Sequence, residues 1–492
     1  MTAMSGGLYA KKVYCIGIKG TGVCALAELF HRHGYAVSGS DTAEWFYTCD
    51  ILRALGIPFY ESFAEEHVPP DAELVVHSAA YTASANQELA RAIQLNIPVQ
   101  KYTDALGAYS ARFFSAGISG VNGKTTVTAL AGTIARALAL PAQILAGSAV
   151  STFAGADGQA RSTLSLGDVF FIAETCEYRG HFLAFHPRVI VLTNIEHDHQ
   201  DFFPTYESIR DMFVAYVNKL PEDGTLIYCA DDPGARELVQ LTRGKKMTRI
   251  PYGFSAEGDY HITALSNEGE KIAWTLARFG EQRFVLRVSG RHNVLNATAA
   301  AALCLTLAAR QNSANGGQPF SPEQTLPALC AALEQFRGSK RRGEIIGEAG
   351  GILFMDDYGH HPSAIQTTLS GLKTFYPSRR LIVSFMPHTY TRTAALLTEF
   401  AACFTDSDLL FLHKIYPSAR ETYTGGVSGI TLYEHTRARH PNVRYIDDPH
   451  TAAAEIAPLL KPGDLFLTMG AGDNWKLGRR LYEQKRSAPC EA

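Results

Sequence analysis

The segment Gly120-Val-Asn-Gly-Lys-Thr-Thr126 carries the residue types that phosphate binding requires. It follows an apolar run, Phe113–Ile118, and opens a helix expected from Lys124 to about Leu138. Glycines let backbone N–H groups turn toward phosphate oxygens, and the helix N-terminus adds its positive dipole end. In that setting Gly120, Asn122, Gly123 and Thr126 frame the loop. Lys124 can then reach β- and γ-phosphates, and the Thr125 hydroxyl can ligate magnesium. A general NTPase loop has glycine six positions before its lysine; Ile118 stands there, flanked by Gly117 and Gly120, so this loop is a variant. The structural alternative is a glycine turn with an exposed lysine, which the strand–loop–helix context disfavours. Glu174 closes the apolar run Val169–Ala173, where its carboxylate would be a second oxygen ligand for the magnesium. Otherwise it is a strand-end surface charge or a helix N-cap. A nucleoside triphosphate with Mg2+, for which Mn2+ can stand in, is what such a loop would bind.

A second glycine-rich turn, Gly17-Ile-Lys-Gly-Thr-Gly22, follows the first apolar run and precedes a helix. As a dinucleotide fingerprint it is incomplete, because Lys19 occupies the middle glycine position. Ser40-Asp41 falls after the second expected strand, at a distance suited to ribose or uridine contacts, or else forms a polar strand-to-helix turn.

The elements that would position these residues alternate. Val13–Ile18, Ala36–Gly39, Glu73–His77 and Ile97–Val99 read as strands, with a helix over Gly22–His33. Phe113–Ile118 starts a second series with Val169–Glu174 and Val189–Thr193, continuous apolar strands that end in polar residues. That pattern is expected where a parallel sheet presents its carboxyl ends to a ligand. Thr225–Arg287 reads as an antiparallel appendage, Arg291–Leu307 as a helix and Asn312–Ser321 as a connection. A third series begins near Phe336, with strands at Ile352–Met355, Leu381–Phe385, Leu409–His413 and Leu465–Met469. The fold class is therefore α/β in three domains, 1–112, 113–335 and 336–492, each with a largely parallel sheet. The first and third are Rossmann-like and the second resembles a P-loop ATPase.

Composition narrows the partners. The 492 residues carry 45 Lys plus Arg against 48 Asp plus Glu, a net charge of -3, which gives no footprint for nucleic acid or a charged membrane surface. The 9 cysteines are scattered without a CxxC pair, as in a reducing compartment. Lys11-Lys12 precede too short an apolar stretch for a signal peptide, and no run of about 20 apolar residues would insert in a membrane. A soluble, cytoplasmic chain, monomeric or a weak homodimer, is expected.

The phosphate loop also resembles the nucleotide loop of the Mur ligases, the ATP-dependent amide-forming enzymes of peptidoglycan assembly. Thr193-Asn194-Ile-Glu-His-Asp198-His199 resembles the family's TNxxxDH, and Gly290-Arg-His-Asn-Val-Leu-Asn-Ala297 its G-[RK]-H-N-x-x-N-A. Asp356-Asp-Tyr-Gly-His-His-Pro362, Pro387-His-Thr-Tyr-Thr-Arg-Thr393 and Gly470-Ala-Gly-Asp473 are similar to elements of the alanine-adding members. The match runs from about Lys12 to Leu481.

The resemblance implies that ATP phosphorylates the carboxylate of UDP-N-acetylmuramate and that L-alanine attacks the acyl phosphate, a step of cell-wall precursor synthesis. It assigns Gly17, Lys19, Gly20, Gly22, Asp41, Ser78 and Asn86 to the UDP-sugar, with Lys19 pairing with the diphosphate. His292, Asn293, Arg341, Arg342 and Tyr358 join the phosphate loop as ATP contacts. His199 becomes a metal ligand with Thr125 and Glu174, while Asp198 orients the site. Tyr358, His360 and Arg392 receive the amino acid, Arg392 holding its carboxylate. Lys124, His199 and Arg392 are the catalytic set. Structural alternatives are an N-cap for His292, a solvated basic turn for Arg341-Arg342 and a metal cluster for DDYGHHP. Two departures stand out. Arg179 replaces an acidic residue after Glu177, and Thr389 replaces an arginine, so that either Arg392 alone holds the carboxylate in a weaker and more tolerant site or Lys414 or Arg420 supplies the missing charge. The rivals are a sister ligase with another acceptor, a folate-type polyglutamate ligase and a catalytically silent Mur-like binding subunit.

Overall fold

A computed structural model describes residues 12–155, 158–200, 202–314, 316, 320–417 and 425–487. Lys11, Arg420 and Cys490 lie outside them; the other eight cysteines are free thiols. The chain forms two compact units. One comprises residues up to Glu196, Glu207–Tyr252 and Ala299–Leu329; the other comprises His197–Tyr206, Gly253–Thr298 and the residues from Cys330.

The first unit holds two sheets. A five-stranded parallel sheet runs in the order Phe59–Tyr60, Ala36–Ser40, Lys12–Ile16, Leu74–His77, Val99–Lys101. Its Lys12–Ile16 and Leu74–His77 strands bury Tyr14, Ile16 and Val75 against Leu89, Ala92 and Ile97. The second sheet, within this unit, runs Thr248–Gly253, Thr225–Cys229, Val189–Leu192, Phe114–Ser119, Phe170–Glu174, Ala142–Val150, Arg161–Ser165. Only its last pair is antiparallel. Four buried residues, Val-Ile-Val-Leu, make up Val189–Leu192, as expected for a strand covered on both faces. Leu192 pairs with Ser119 and Ile118 with Glu174, so these strands end side by side.

The second unit carries a six-stranded sheet ordered Glu344–Ala349, Ile352–Asp357, Asp464–Met469, Arg380–Phe385, Leu409–Leu412, Val443–Tyr445. It is parallel except for its first pair. Three antiparallel strands, Tyr260–Asn267, Ile272–Leu276 and Arg283–Leu286, also belong to this unit. The three-domain α/β class with parallel-rich sheets is the one the sequence implies.

Three expectations need correction. The antiparallel appendage begins only at Tyr260. Thr225–Cys229 and Thr248–Gly253 instead extend the central parallel sheet, linked by the helix Pro233–Leu241. Both pair in parallel with their neighbours, so antiparallel pairing here is confined to the later strands. The helix expected to end at Leu307 runs from Arg291 to Ala314 and so covers Asn312. Its length and apolarity would suffice to cross a membrane, but 78% of its most apolar window is buried within the protein. Ala142–Val150 and Arg161–Ser165 were not anticipated, because Ala, Gly and Ser carry little strand preference and packing decides their state.

Asp232 ties the central sheet to its next helix. Its Oδ1 accepts from Ala235 N at 2.7 Å, capping Pro233–Leu241, and from Ile195 N at 3.1 Å. Burial, with the Glu196 charge adding, pushes this carboxyl from 3.8 up to about 6. A group raised in the folded state favours folding most below 3.8 and loses that contribution as pH rises through about 6. Asp232→Asn keeps the acceptor without the charge. Unfolding measurements at pH 8 should therefore show the variant more stable by about 1–2 kcal/mol, after discounting for partial exposure. The advantage should fade toward pH 4, and a difference independent of pH would contradict the account.

Candidate active site

The phosphate loop sits at the carboxyl end of Phe114–Ser119, between two strands that also end there. Gly120 and Gly123 adopt φ of 132° and 83°, which side chains rarely allow. The helix Lys124–Ala137 starts at Gly123 without a side-chain cap, leaving its first N–H groups for an anion. The loop is fastened by the start of TNxxxDH. Asn194 Oδ1 accepts from Asn122 N at 2.8 Å, Asn194 O accepts from Val121 N at 3.2 Å, and Thr193 Oγ1 donates to Asn122 O at 2.6 Å.

Lys124 Nζ donates to Val121 O at 3.2 Å and to Gly120 O, and pairs with Glu177 Oε2 at 2.9 Å. Burial alone would lower this ammonium, but the Glu177 carboxylate, with Cys176 and Glu174 beyond it, holds it above its ordinary value. Thr125 Oγ1 donates to Glu174 Oε2 at 2.8 Å, and Gly147 N donates to the same oxygen at 2.9 Å. The structure thus brings Lys124, Thr125 and Glu174 together as expected. It adds Glu177 as the partner of Lys124, a role signalled in the sequence only by its place three residues after Glu174 in the same strand-end run. His199 belongs to the second unit, with φ of 55°. Among the described residues no group of three His, Cys, Asp or Glu side chains is arranged to hold a metal ion.

Around the amino-terminal glycine turn, Gly17 adopts φ of 81° and donates its N–H to Ser40 O at 2.8 Å. A side chain at Gly17 would stand 3.0 Å from Ser78 Cβ, and one at Gly22 would press into the Tyr102 ring. Gly20 N closes on Gly17 O at 3.1 Å before the helix Thr21–Arg32. Asp41 Oδ2 accepts from Lys19 N at 2.7 Å. The expectation that Lys19 meets a diphosphate is not met by this geometry. Its side chain is fully buried, and Nζ donates to Thr42 O (2.7 Å), Glu44 O (3.0 Å) and Glu61 Oε1 (3.0 Å). An ammonium has three donors, so all are committed to the segment that covers it. Asn86, also buried, uses Oδ1 to accept from Leu89 N at 2.9 Å and caps the helix Gln87–Gln94.

In the second unit, Ile352–Asp357, Asp464–Met469 and Arg380–Phe385 end in register. Arg341 donates from Nε to Asp356 Oδ2 at 3.0 Å and from Nη2 to Gly470 O at 2.6 Å. The Arg341 and Arg342 guanidiniums lie 5.0 and 4.8 Å from the Tyr358 ring centre, a cation–π arrangement rather than a solvated basic turn. Burial raises Asp356 to about 6 and also raises Asp357, whose oxygens accept from Gly343 N and Gly359 N at 2.7 Å each. His360 Nδ1 meets Tyr358 O at 3.0 Å while His361 Nδ1 meets Ser363 Oγ at 2.9 Å, so the adjacent imidazoles serve different partners. Burial, then the Arg392 charge, keeps His360 neutral at pH 7.

Arg392 is committed to protein groups: Nε and Nη2 donate to Asp198 Oδ1 at 3.1 and 2.9 Å, and Nη1 donates to His388 O at 2.8 Å. Burial opposes charge on Asp198, but the Arg392 guanidinium beside it, followed by His199, holds it far below the carboxylate range. Thr389 caps the short helix Tyr390–Ala395, and Lys414 pairs with Asp448 at 3.4 Å. His292 keeps a buried Nδ1 without a hydrogen-bond partner, and burial lowers the ring to about 4. Asn293 donates from Nδ2 to Ser289 O at 2.7 Å and accepts from Asn296 at 3.2 Å, fixing the turn before the helix.

Gly120 offers a direct test of the loop. A methyl there would overlap Thr193 Oγ1 and sit 3.0 Å from Asn194 N, in a backbone conformation that L residues avoid. Strain of about 1–3 kcal/mol predicts that Gly120→Ala weakens ATP binding by roughly 10- to 100-fold in calorimetry, without a matching loss of UDP-sugar binding. Unchanged ATP affinity would show that the loop does not contact the nucleotide.

Comparisons with known proteins agree in extent and order. Family models described as the Mur ligase family catalytic domain, the Mur ligase middle domain and the Mur ligase glutamate ligase domain match residues 12–114, 118–304 and 341–472. The UDP-N-acetylmuramate–L-alanine ligase of Treponema pallidum is 49% identical over 474 residues, 96% of each chain. That of Borreliella burgdorferi is 36% identical over 469 residues, 94% of this chain and 97% of its own. The crystal structure of UDP-N-acetylmuramate–alanine ligase from Thermotoga maritima shares the fold, with a TM-score of 0.75 at 22% identity over 97% of this chain and all of that one. A murein peptide ligase from Psychrobacter arcticus reaches a TM-score of 0.66 at 23% identity, covering 98% of this chain and 100% of its own. On the full-length matches and the three family models, this chain belongs to the Mur ligase family.

Proposed function

We propose that this protein joins L-alanine to the carboxylate of UDP-N-acetylmuramate at the expense of ATP, in the cytoplasmic stage of peptidoglycan precursor synthesis. The observation that carries this reading is the 49% identity, along almost the whole chain, to a relative of that activity. The phosphate loop with Lys124, Thr125 and Glu174 supports it.

In this reading Gly120, Asn122, Gly123, Lys124, Thr125 and Thr126 cradle the ATP phosphates, and Lys124 exchanges Glu177 for phosphate oxygens as charge develops. The neutral His292 with its unpartnered Nδ1 suits an adenine edge, and Tyr358, with the Arg341 and Arg342 guanidiniums beside its ring, suits a contact with the nucleotide. The γ-phosphoryl group passes to the muramyl carboxylate, and the resulting acyl phosphate is attacked by the amino nitrogen of alanine. The C–N bond forms, the C–O bond to phosphate breaks, and the amine releases its proton. Side chains contribute positioning and charge neutralisation rather than covalent chemistry. The paired oxygens of Thr125 and Glu174 fit a hard cation such as magnesium, which would offset phosphate charge; His199 is our proposed ligand for a second ion. Gly17, Gly20, Gly22, Asp41 and Ser78 line the proposed UDP-sugar site, with Lys19 and Asn86 as its internal struts. Tyr358, His360 and Arg392 form the amino-acid site. Domain limits near residues 112 and 335 accompany this division of labour.

Phosphate release should require UDP-N-acetylmuramate and an amino acid together, with L-alanine preferred over glycine and serine. Vigorous ATP hydrolysis without them would reject the reading, and preference for another acceptor would make the chain a sister ligase. Lys124→Ala should lower turnover by about 100-fold or more, the scale of losing one preorganised charge-stabilising group. Glu174→Ala should raise the magnesium concentration needed for half-maximal rate; unchanged magnesium dependence would remove Glu174 from the metal.

A further inference from the structure

Arg392 is held more tightly than a lone substrate-binding arginine needs to be. A guanidinium has five N–H donors. Nε and one N–H of Nη2 go to Asp198 Oδ1 at 3.1 and 2.9 Å, and one N–H of Nη1 goes to His388 O at 2.8 Å. One N–H on each of Nη1 and Nη2 is left over. Those two nitrogens form the end-on edge of the plane, the pair that matches the two oxygens of a carboxylate. Asp198 is fixed in turn, since its Oδ1 also accepts from His199 N at 2.7 Å. Both side chains are nearly buried, at 8% and 5% exposure, so water competes little for the contact.

We infer that Asp198 is a positioning residue for amino-acid selection. It grips the side-on edge of Arg392 and so aims the end-on edge at the α-carboxylate of the incoming amino acid. This rests on the proposed amino-acid site. The clamp also accounts for Thr389 in the motif PHTYTRT: with one guanidinium oriented by protein groups, a second arginine is not needed to define the carboxylate's direction. The competing role for Asp198 is to act through the neighbouring His199 on the phosphoryl-transfer step.

The two roles separate kinetically. Formation of the acyl phosphate needs no amino acid, and isotope exchange between ADP and ATP in the presence of UDP-N-acetylmuramate reports it. The test compares wild type, Asp198→Asn, Asp198→Glu, Arg392→Lys and Asp198→Asn/Arg392→Lys. Asp198→Asn should raise the KM for L-alanine by about 10- to 100-fold, the effect of losing one charge-assisted contact that orients a binding group. The exchange rate and the KM for ATP should stay within about 3-fold, since neither depends on the amino-acid site. Asp198→Glu keeps the charge but displaces the acceptor, so it should give a smaller rise and serves if the Asn variant does not fold. The double variant should be no worse than Arg392→Lys alone, because both changes break one device. A normal KM for L-alanine in both Asp198 variants would overturn the inference. Exchange that falls in parallel with overall turnover would overturn it in favour of action through His199. Wild type without alanine-dependent phosphate release would reject the proposed function itself.

Discussion

A loop that offers its N–H groups to phosphate cannot use the same groups to hold its own shape. Here the shape comes from the neighbouring strand. Val189–Leu192 lies parallel to Phe114–Ser119, and the residues just beyond it, Thr193 and Asn194, bond to Val121 and Asn122 through backbone and side chain alike. Ser119 Oγ reaches Val191 O at 3.2 Å, adding a side-chain tie between the same strands. Each such bond contributes about 1 kcal/mol net, but together they fix the direction in which Gly123 and the following helix point. The rest of the site depends on that direction. Lys124 and Thr125 are the first two helical residues, so a small rotation of the loop would move both away from Glu177 and Glu174.

The second constraint is charge in a buried place. The four cations most exposed to functional interpretation, Lys19, Lys124, Arg341 and Arg392, all meet protein carboxylates: Glu61, Glu177, Asp356 and Asp198. Taking an ion out of water costs several kcal/mol unless a partner and hydrogen bonds offset it. The partner therefore decides what each cation can do. Lys19 has all its donors engaged and serves the loop that covers it. Lys124 divides its donors between one carboxylate and two backbone carbonyls of the loop. Arg392 keeps a usable edge. Residues of one charge and similar motif context thus end with different roles, separated by the geometry of their partners.

Both units use the same solution for placing polar groups. Parallel strands covered on both faces end together, and the turns beyond them escape the apolar layer without losing rigidity. In the first unit that edge carries Gly120–Asn122, Glu174–Glu177 and Thr193–Asn194; in the second it carries Asp356-Asp357, Met386–His388 and Gly470. The buried carboxyls of Asp356 and Asp357 sit where Arg341, Thr468 and the N–H groups of Gly343 and Gly359 can satisfy them. Desolvation raises them, and their partners limit the rise.

Much of this was written in local sequence. Apolar runs ending in polar residues marked the principal strands, and the glycines of Gly120–Lys124 marked a turn that only permissive backbone can make. Those signals are local because strand burial and turn conformation are set by a few consecutive residues. The extent of the antiparallel segment and the strands Ala142–Val150 and Arg161–Ser165 were not legible, since weak strand formers take their state from the neighbours they pair with. The fate of individual charges was equally hidden. Nothing near Lys19 in the chain announces Thr42, Glu44 and Glu61 as its partners, and Asp198 stands 194 positions before the arginine it grips. Sequence determined which residue types lie at the strand ends. Tertiary structure decided which of their donors stay available, because burial and pairing depend on groups that meet only when the chain has folded.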